Sequence, residues 1–185
     1  MFSSPETIMK NIVLILFFLF PLEAYSTETT DISDAIKWLV RTNHRHQMWT
    51  NIRARSKIAE WILSAAIEQR LDPYLLIGMA YHESTFRPGV IGALGEVGLI
   101  QVAKHVRLEC ECDGYDMVVP LDQLRCGARH LRRMIDRCGS LRSGLTAYAS
   151  APPRCSEVEG DRVWMAVNIR VSKMRRLRER PWRNQ

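Results

Sequence analysis

Apolar residues recur at three- and four-residue steps along much of the chain, which is the spacing of one face of an α-helix. The clearest case runs from Leu121 to Cys138, with Asp122 as the predicted N-cap. The apolar face of this segment consists of Leu124, Ala128, Leu131, Ile135 and Cys138. The opposite face carries Arg125, Arg129, Arg132 and Arg133. The segment is therefore predicted to be an amphipathic helix that packs one side on a core.

The same spacing appears in two further segments, whereas strand patterns are nearly absent. One apolar stripe precedes Arg70 and consists of Ile58, Ile62, Ala65 and Ala66. A C-terminal stripe consists of Val163, Val167, Val171 and Met174. The only β-prone stretch is Met117-Val118-Val119, which is short and stops at Pro120. We therefore predict a mainly α fold, with little or no sheet, in one compact domain.

The first 26 residues differ from the rest and have the features of a secretory signal peptide. Lys10 precedes an apolar run from Ile12 to Phe20, Pro21 interrupts the run, and small residues surround Ser26. The run is about half of the ~20 residues that a membrane-spanning helix needs, so cleavage is favoured over a membrane anchor. The sequence predicts a signal peptide at 1–26 and a single exported domain at 27–185, periplasmic or secreted, without a stable transmembrane anchor.

The formal net charge of +6 at pH 7 suits an anionic partner, but charge alone does not choose among cell wall, membrane headgroups and nucleic acid. Basic residues are concentrated in and after a predicted C-terminal helix at about 158–179. They are Arg170, Lys173, Arg175, Arg176, Arg178, Arg180 and Arg183. We interpret this run as a solvated helix face rather than as a surface that binds an anionic polymer.

One glutamate lies on the apolar side of a predicted helix. Asp72 is the predicted N-cap of a helix over about Pro73–Ser84, with proline at its first position. The buried stripe of this helix consists of Leu76, Met79 and Ala80. Glu83 follows at helical spacing on the same side, where burial and the negative end of the helix dipole both disfavour a charged carboxylate. These features suit a general acid; the structural alternative is a Glu83 that pairs with Arg87 or points to solvent.

A loop with several glycines follows this helix and, together with Glu83, points to a family. The loop reads Gly95-Glu96-Val97-Gly98-Leu99-Ile100-Gln101. The pair Glu83-Ser84 at a helix end, followed at this distance by the glycine-leucine-glutamine loop, resembles the soluble lytic transglycosylase family. A third motif of that family corresponds to Ala147-Tyr148-Ala149-Ser150-Ala151, in which the tyrosine is kept but the family's asparagine and glycine are not. The resemblance extends over about 58–150.

The resemblance implies a compact helical domain related in fold to goose-type lysozyme, and an enzyme that acts on the glycan strands of peptidoglycan. Such an enzyme cleaves the β-1,4 bond between N-acetylmuramic acid and N-acetylglucosamine and leaves a 1,6-anhydromuramoyl end. Glu83 would serve first as acid and then as base. Tyr148 would orient Glu83. Ser84 and Gln101 would contact sugar or position backbone, and Gly98 and Leu99 would shape the floor of the cleft. No cofactor, metal ion or nucleic acid is implied.

Two other functions stay open at this stage. A hydrolysing muramidase would use a second carboxylate about 5 to 9.5 Å from the first, and Glu96 is the nearby candidate. Glu96 is also placed to favour the N-terminal dipole of a short helix that we predict after it. The other function is that of a non-catalytic protein. A basic, disulfide-bearing protein that binds cell wall, membrane or nucleic acid would explain the charge and the cysteines but not the linked motifs around Glu83. A catalytically inactive member of the same fold that binds peptidoglycan would fit the altered third motif, but the retained Glu83 argues against it.

Five cysteines in an exported protein indicate disulfides with one cysteine left over. Cys126 and Cys138 are twelve residues apart on one predicted helix, or about 18 Å at the helical rise, so they cannot bridge each other. We predict that Cys126 pairs with Cys110 or Cys112, and that Cys138 pairs with Cys155.

A zinc site is the alternative use of these thiols, with His105 or His130 as further ligands. The spacing matches no paired-cysteine zinc pattern, and export favours disulfides over thiolate ligands. We therefore predict no metal site.

Overall fold

The computed structural model describes residues 28–41, 52–156 and 162–184. These ranges contain seven α-helices, a short 3-10 helix at Pro181–Asn184 and no β-strand. The helices are α1 (28–41), α2 (Ile52–Gln69), α3 (Pro73–Ser84), α4 (Lys104–Cys112), α5 (Pro120–Cys138), α6 (Leu141–Tyr148) and α7 (Arg162–Arg178). The mainly α fold predicted from the sequence is confirmed. The predicted signal peptide at 1–26 lies outside the described residues, among which no helix is long and apolar enough to cross a membrane.

The central helix of the described fold is α3, which is apolar on all sides except at its last turn. A helix of this kind must be surrounded by other elements, and α2 and α7 both pack against α3. Its fully buried side chains are Leu75, Leu76, Ile77, Met79 and Ala80. The Asp72 carboxylate caps the helix by accepting a 2.8 Å hydrogen bond from the Tyr74 amide, as the sequence predicted. The cap and the burial together fix the direction in which α3 presents its C-terminal end.

The longest helix, α5, packs on α2 and α6 with the stripe that the sequence indicated. Leu124, Ala128 and Leu131 are fully buried. The predicted N-cap is wrong: Val119 precedes the helix and Pro120 begins it, so Asp122 lies in the first turn. There the Asp122 carboxylate accepts a 3.0 Å hydrogen bond from the Asp116 amide. The arginines on the outer face form ion pairs, and the pair between Arg125 and Glu68 joins α5 to α2.

The segment between α3 and α4 contains the only bridge pairing in the described ranges. Val97 forms isolated antiparallel bridges with Ile91 and with Val102, which fold the segment back on itself without making a strand. The short helix predicted after Glu96 is absent, because the chain turns here and α4 begins only at Lys104. Met117-Val118-Val119 likewise forms a turn, with Val118 exposed to solvent.

The basic C-terminal run is not a uniformly solvated face, so our interpretation of it is wrong in part. Arg170 is 5% exposed and lies on the side of α7 that faces the core. Arg178 forms an ion pair with Asp72, and Arg183 forms one with Asp31 of α1. Arg176 lies over the Trp38 ring, 4.8 Å from its centroid. These contacts attach the C-terminal part of the chain to α1 and to the start of α3, while Arg175 stays exposed.

Candidate active site

An open cleft of about 470 Å³ lies at the C-terminal end of α3. It is lined by the last turn of α3, the segment between α3 and α4, the first turn of α4, the end of α6 and the segment after it, and one residue each of α5 and α7. The lining residues are Glu83, Gly92, Ala93, Leu94, Glu96, Gln101, Ala103, Lys104, His105, His130, Tyr148, Ala149, Ser150, Ala151, Pro153 and Arg170. The cleft therefore brings together Glu83, Glu96, Gln101 and Tyr148, four of the residues singled out in the sequence.

Glu83 lies in the last turn of α3 with its side chain 17% exposed, on the apolar side of the helix as predicted. Its carboxylate does not pair with Arg87, whose Nε donates a 2.9 Å hydrogen bond to the Ser84 carbonyl. Instead, the Arg170 guanidinium contacts Glu83 Oε1 across the cleft wall. Sequence reasoning missed Arg170, although a signal was present: Arg170 falls three residues after Val167 and four before Met174, on the buried stripe of α7.

Ser84 supports the cleft from behind and does not line it. Its side chain is 2% exposed, and its hydroxyl lies 2.8 Å from the Leu99 carbonyl and 3.1 Å from the Ala80 carbonyl. The same oxygen accepts a 3.1 Å hydrogen bond from the Arg87 amide. Of the two roles expected for Ser84, contact with sugar and support of the backbone, the structure has the second.

Gly98 and Leu99 also lie behind the cleft rather than at its floor, contrary to the expectation from the resemblance. Gly98 has φ +81°, and a Cβ there would lie 2.1 Å from Gln123 Oε1. Leu99 is fully buried, and its amide donates a 3.3 Å hydrogen bond to the same Gln123 oxygen. Gln123 Nε2 donates to the carbonyls of Met117 and Pro88. This buried glutamine holds the loop, and no sequence signal distinguished it from the exposed polar residues of α5.

Gln101 lines the cleft and at the same time ties its loop together. Its φ is +50°, and its Nε2 donates hydrogen bonds of 3.0 Å to the Gly98 carbonyl and 3.2 Å to the Val90 carbonyl. The Oε1 atom of Gln101 would lie 2.6 Å from a Cβ at Gly92, so only glycine fits at that position without a shift. Gln101 therefore positions backbone, the second of the roles expected for it.

Glu96 lies in the same cleft as Glu83, on the loop that faces the end of α3. Its Oε2 accepts a 3.0 Å hydrogen bond from the Leu94 amide, and the Glu96 carbonyl accepts a 2.8 Å hydrogen bond from the Gly92 amide. Glu96 thus closes its own turn with both its side chain and its backbone. This contact replaces the interaction with a helix N-terminus that the sequence suggested.

Tyr148 is not the hydrogen-bond partner of Glu83 that the resemblance implied. Its hydroxyl donates a 2.9 Å hydrogen bond to the Ile100 carbonyl, next to the residue that Ser84 holds. Burial, together with the nearby Glu83 carboxylate, raises the pKa of Tyr148 far above its usual range, so the phenol stays neutral. Tyr148 therefore supports the loop from the side of α6 and also lines the cleft.

Two histidines continue the wall that Tyr148 begins. The His130 ring lies 5.5 Å from the Tyr148 ring and 6.2 Å from the His105 ring, centroid to centroid. Burial and the neighbouring Arg133 and His105 lower the pKa of His130 to about 4, so His130 is neutral at pH 7. Sequence reasoning considered these histidines only as alternative zinc ligands and missed their place in the cleft.

Two disulfides hold elements that surround the cleft. Cys110 bonds Cys126, which joins α4 to α5, and Cys138 bonds Cys155, which returns the segment after α6 to the end of α5. Cys112 is free and exposed. The structure thus contains the predicted pairing for Cys138, and of the two partners left open for Cys126 it contains Cys110. Ala151 and Pro153 of the returned segment line the cleft.

Comparison with protein families finds a match between the transglycosylase SLT domain and residues 60–165, which is more than half of the chain. The chain belongs to the transglycosylase SLT domain family. The match confirms the family to which the sequence motifs pointed. A search of curated proteins found no match.

Comparison with solved structures finds a likeness to an inactive mutant of the lytic transglycosylase Slt from Pseudomonas aeruginosa. The TM-score is 0.51 and the sequence identity is 18%, over 76% of this chain and 26% of the solved chain. This chain therefore spans about a quarter of the length of that protein, and the matched parts are similar in fold.

The family match includes the whole cleft wall except one side chain. Glu83, Glu96, Gln101, His130 and Tyr148 all lie within residues 60–165. Arg170, the residue that contacts Glu83, lies five residues beyond the end of the match. Glu83 thus lies within the matched range, and its partner lies outside it.

Proposed function

We propose that the protein is an exported peptidoglycan lytic transglycosylase that uses Glu83 as its single acid and base. Its substrate is the β-1,4 bond between N-acetylmuramic acid and N-acetylglucosamine, and its product carries a 1,6-anhydromuramoyl end. The observation that carries this proposal is the Glu83 carboxylate, 17% exposed, in the wall of an open cleft within the matched SLT domain.

The reaction needs two proton transfers and no water. Glu83 gives its proton to the glycosidic oxygen, and the bond between that oxygen and C1 of the muramoyl sugar breaks. The resulting carboxylate then takes the proton of the muramoyl 6-hydroxyl while that oxygen forms a bond to C1. Glu83 is protonated again at the end of each cycle, so the mechanism requires no second carboxylate.

The contacts of Glu96 support a single-carboxylate mechanism. Glu96 is the only other acidic residue among the described residues that line the cleft. Its carboxylate accepts the Leu94 amide hydrogen bond, which gives it a structural role in the turn.

Export is part of the proposal because the substrate lies outside the cytoplasm. Two observations support it: the signal-peptide features of residues 1–26 and the two disulfides, which persist in oxidising compartments. Removal of the first 26 residues would leave an exported chain at 27–185.

A hydrolysing muramidase is the second candidate, because Glu83 and Glu96 lie in one cleft. The test is to digest purified peptidoglycan with the protein and with its Glu96→Gln variant, and to identify the sugar ends by mass spectrometry. We expect anhydro ends, lighter by one water than hydrolysed ends, and nearly unchanged activity in Glu96→Gln. Reducing ends, together with a loss of activity in Glu96→Gln, would favour the muramidase.

A further inference from the structure

Arg170 and Glu83 come from two helices whose backbones approach closely. α3 and α7 meet at Gly78, where a Cβ would lie 3.4 Å from the Arg170 carbonyl oxygen and 3.5 Å from Lys173 Cβ. Glu83 follows Gly78 by five residues and lies in the last turn of the same helix. The close packing at glycine thus fixes the position of Arg170 opposite the Glu83 carboxylate.

The Arg170 guanidinium is buried and has one described acceptor. Its side chain is 6% exposed, its Nη2 contacts Glu83 Oε1, and its Nε and Nη1 have no hydrogen-bond partner among the described residues. Burial of a charge costs free energy unless an opposite charge compensates for it. Among the described residues, Glu83 alone forms an ion pair with Arg170. An uncharged side chain would pack at this position at lower cost, so the charge points to a role connected with Glu83.

The other basic groups near Glu83 are directed elsewhere or uncharged. Lys173 Nζ lies over the Tyr81 ring, 4.4 Å from its centroid, and burial lowers its pKa. Burial, and then the Arg170 charge, lower the pKa of His82, the residue before Glu83. Arg170 is therefore the one described cation in contact with the Glu83 carboxylate.

We propose that Arg170 is a positioning residue for Glu83, an inference that rests on the proposed function. Its guanidinium holds Oε1 of Glu83 and leaves Oε2 as the oxygen that carries the proton. The contact can persist through the cycle, because a protonated carboxyl group keeps one carbonyl oxygen that accepts a hydrogen bond. After the first transfer, the adjacent cation stabilises the carboxylate until that carboxylate takes the proton of the 6-hydroxyl.

The test compares Arg170→Met, which removes the charge and keeps an apolar side chain, with Arg170→Lys, which keeps the charge but not the planar guanidinium. Arg175→Met is the matched control, because Arg175 is an exposed arginine of the same helix. The kcat and KM values are measured by release of anhydro ends from soluble glycan strands of peptidoglycan. We expect Arg170→Met to lower kcat by up to about 100-fold at nearly constant KM, since misplacement of a catalytic group acts on the chemical step.

We expect Arg170→Lys to be faster than Arg170→Met, and Arg175→Met to match the unaltered protein. A kcat near that of the unaltered protein in Arg170→Met would overturn the inference while leaving the proposed function intact. So would a rise in KM alone, which indicates substrate binding, or an Arg170→Lys variant no faster than Arg170→Met. An unaltered protein that released no anhydro ends would overturn the proposed function and the catalytic role of Arg170 with it.

A second measurement does not depend on activity. Urea unfolding midpoints are compared for Glu83→Gln, Arg170→Met and the double variant. We expect each single variant to lower the midpoint and the double variant to lower it by less than the sum, because each single change leaves one buried partner unpaired. Shifts that simply add would overturn the inference, since the two side chains would then act independently.

Discussion

The Ser84 hydroxyl lies 2.8 Å from the Leu99 carbonyl oxygen and joins the last turn of α3 to the loop that carries Gln101. Both residues are almost fully buried, so water does not replace this hydrogen bond if it is lost. Tyr148 holds the next carbonyl of the loop, that of Ile100, from the side of α6. Two neighbouring carbonyl groups are thus fixed from two helices, and the cleft wall opposite Glu83 depends on both.

Ser84→Ala should lower the free energy of unfolding by about 1 to 3 kcal/mol, because the buried Leu99 carbonyl loses its donor. The loop should also become less well positioned, so activity should fall while affinity for peptidoglycan changes little. Urea unfolding and peptidoglycan pull-down measure the two effects. Ser172→Ala, at an exposed position of α7, is the control and should leave both quantities unchanged. A loss of pull-down with normal stability would instead assign Ser84 to substrate contact.

Gly98→Ala should be more destabilising than Gly95→Ala, although both glycines have positive φ. A side chain in this region costs about 1 to 2 kcal/mol in backbone strain alone. At Gly98 the added Cβ would also displace Gln123, which holds the Leu99 amide, whereas no atom lies within 4 Å of a Cβ at Gly95. Thermal unfolding of both variants and of Gly89→Ala, a position with neither strain nor crowding, separates the two contributions. Equal losses at Gly95 and Gly98 would contradict the role of Gln123.

The position of Glu83 was predictable from the sequence, whereas its partner was not recognised. An N-cap at Asp72 and an apolar stripe set the bounds and the orientation of α3, because capping and 3.6-residue periodicity are local. The Arg170 contact joins residues 87 positions apart and depends on how α7 packs at Gly78. The local spacing placed Arg170 on the buried stripe of α7, but the many charges around it suggested a face exposed to solvent.

The hydrogen bonds that support the loop could not be predicted from the sequence either. The motif indicated that Ser84 and Tyr148 belong near the cleft, but a motif does not say which acceptor a hydroxyl finds. In the structure both hydroxyls donate to backbone carbonyls of the loop. These carbonyls are available as acceptors because the segment forms isolated bridges rather than a helix. The tertiary course of the backbone therefore decided these roles.

His130→Gln should reduce the loss of stability that the protein undergoes at acidic pH. Burial is the main cause that lowers the pKa of His130 to about 4, against 6.5 when it is unfolded. The unfolded chain then binds a proton at higher pH than the folded chain, so stability is fully present above pH 6.5 and falls as the pH decreases toward 4. Glutamine does not titrate, and this part of the decrease should disappear. Unfolding midpoints are measured across that pH range for the unaltered protein and for His130→Gln. An unchanged slope in His130→Gln would contradict the prediction.

Removal of the Cys138–Cys155 disulfide should affect both stability and activity. Replacement of both cysteines by serine should lower the free energy of unfolding by about 3 kcal/mol, as for closed loops of similar length. The segment with Ala151 and Pro153 would be less constrained, so activity should fall even where the protein is folded. Cys112→Ser is the control, since Cys112 is free and exposed. Peptide mapping without reduction checks the pairing, and alkylation at any cysteine besides Cys112 would contradict it.

The most direct test of the central claim is the rate at which Glu83→Gln releases anhydromuropeptides from purified peptidoglycan. Loss of a general acid lowers a rate by about 10² to 10⁴-fold. Because one carboxyl group serves both proton transfers, the fall should reach the upper end of that range, while sacculus binding is retained. Glu179→Gln, at an exposed glutamate after α7, should keep the rate of the unaltered protein. A folded Glu83→Gln variant that released anhydro ends at a rate near that of the unaltered protein would show that Glu83 is not the acid.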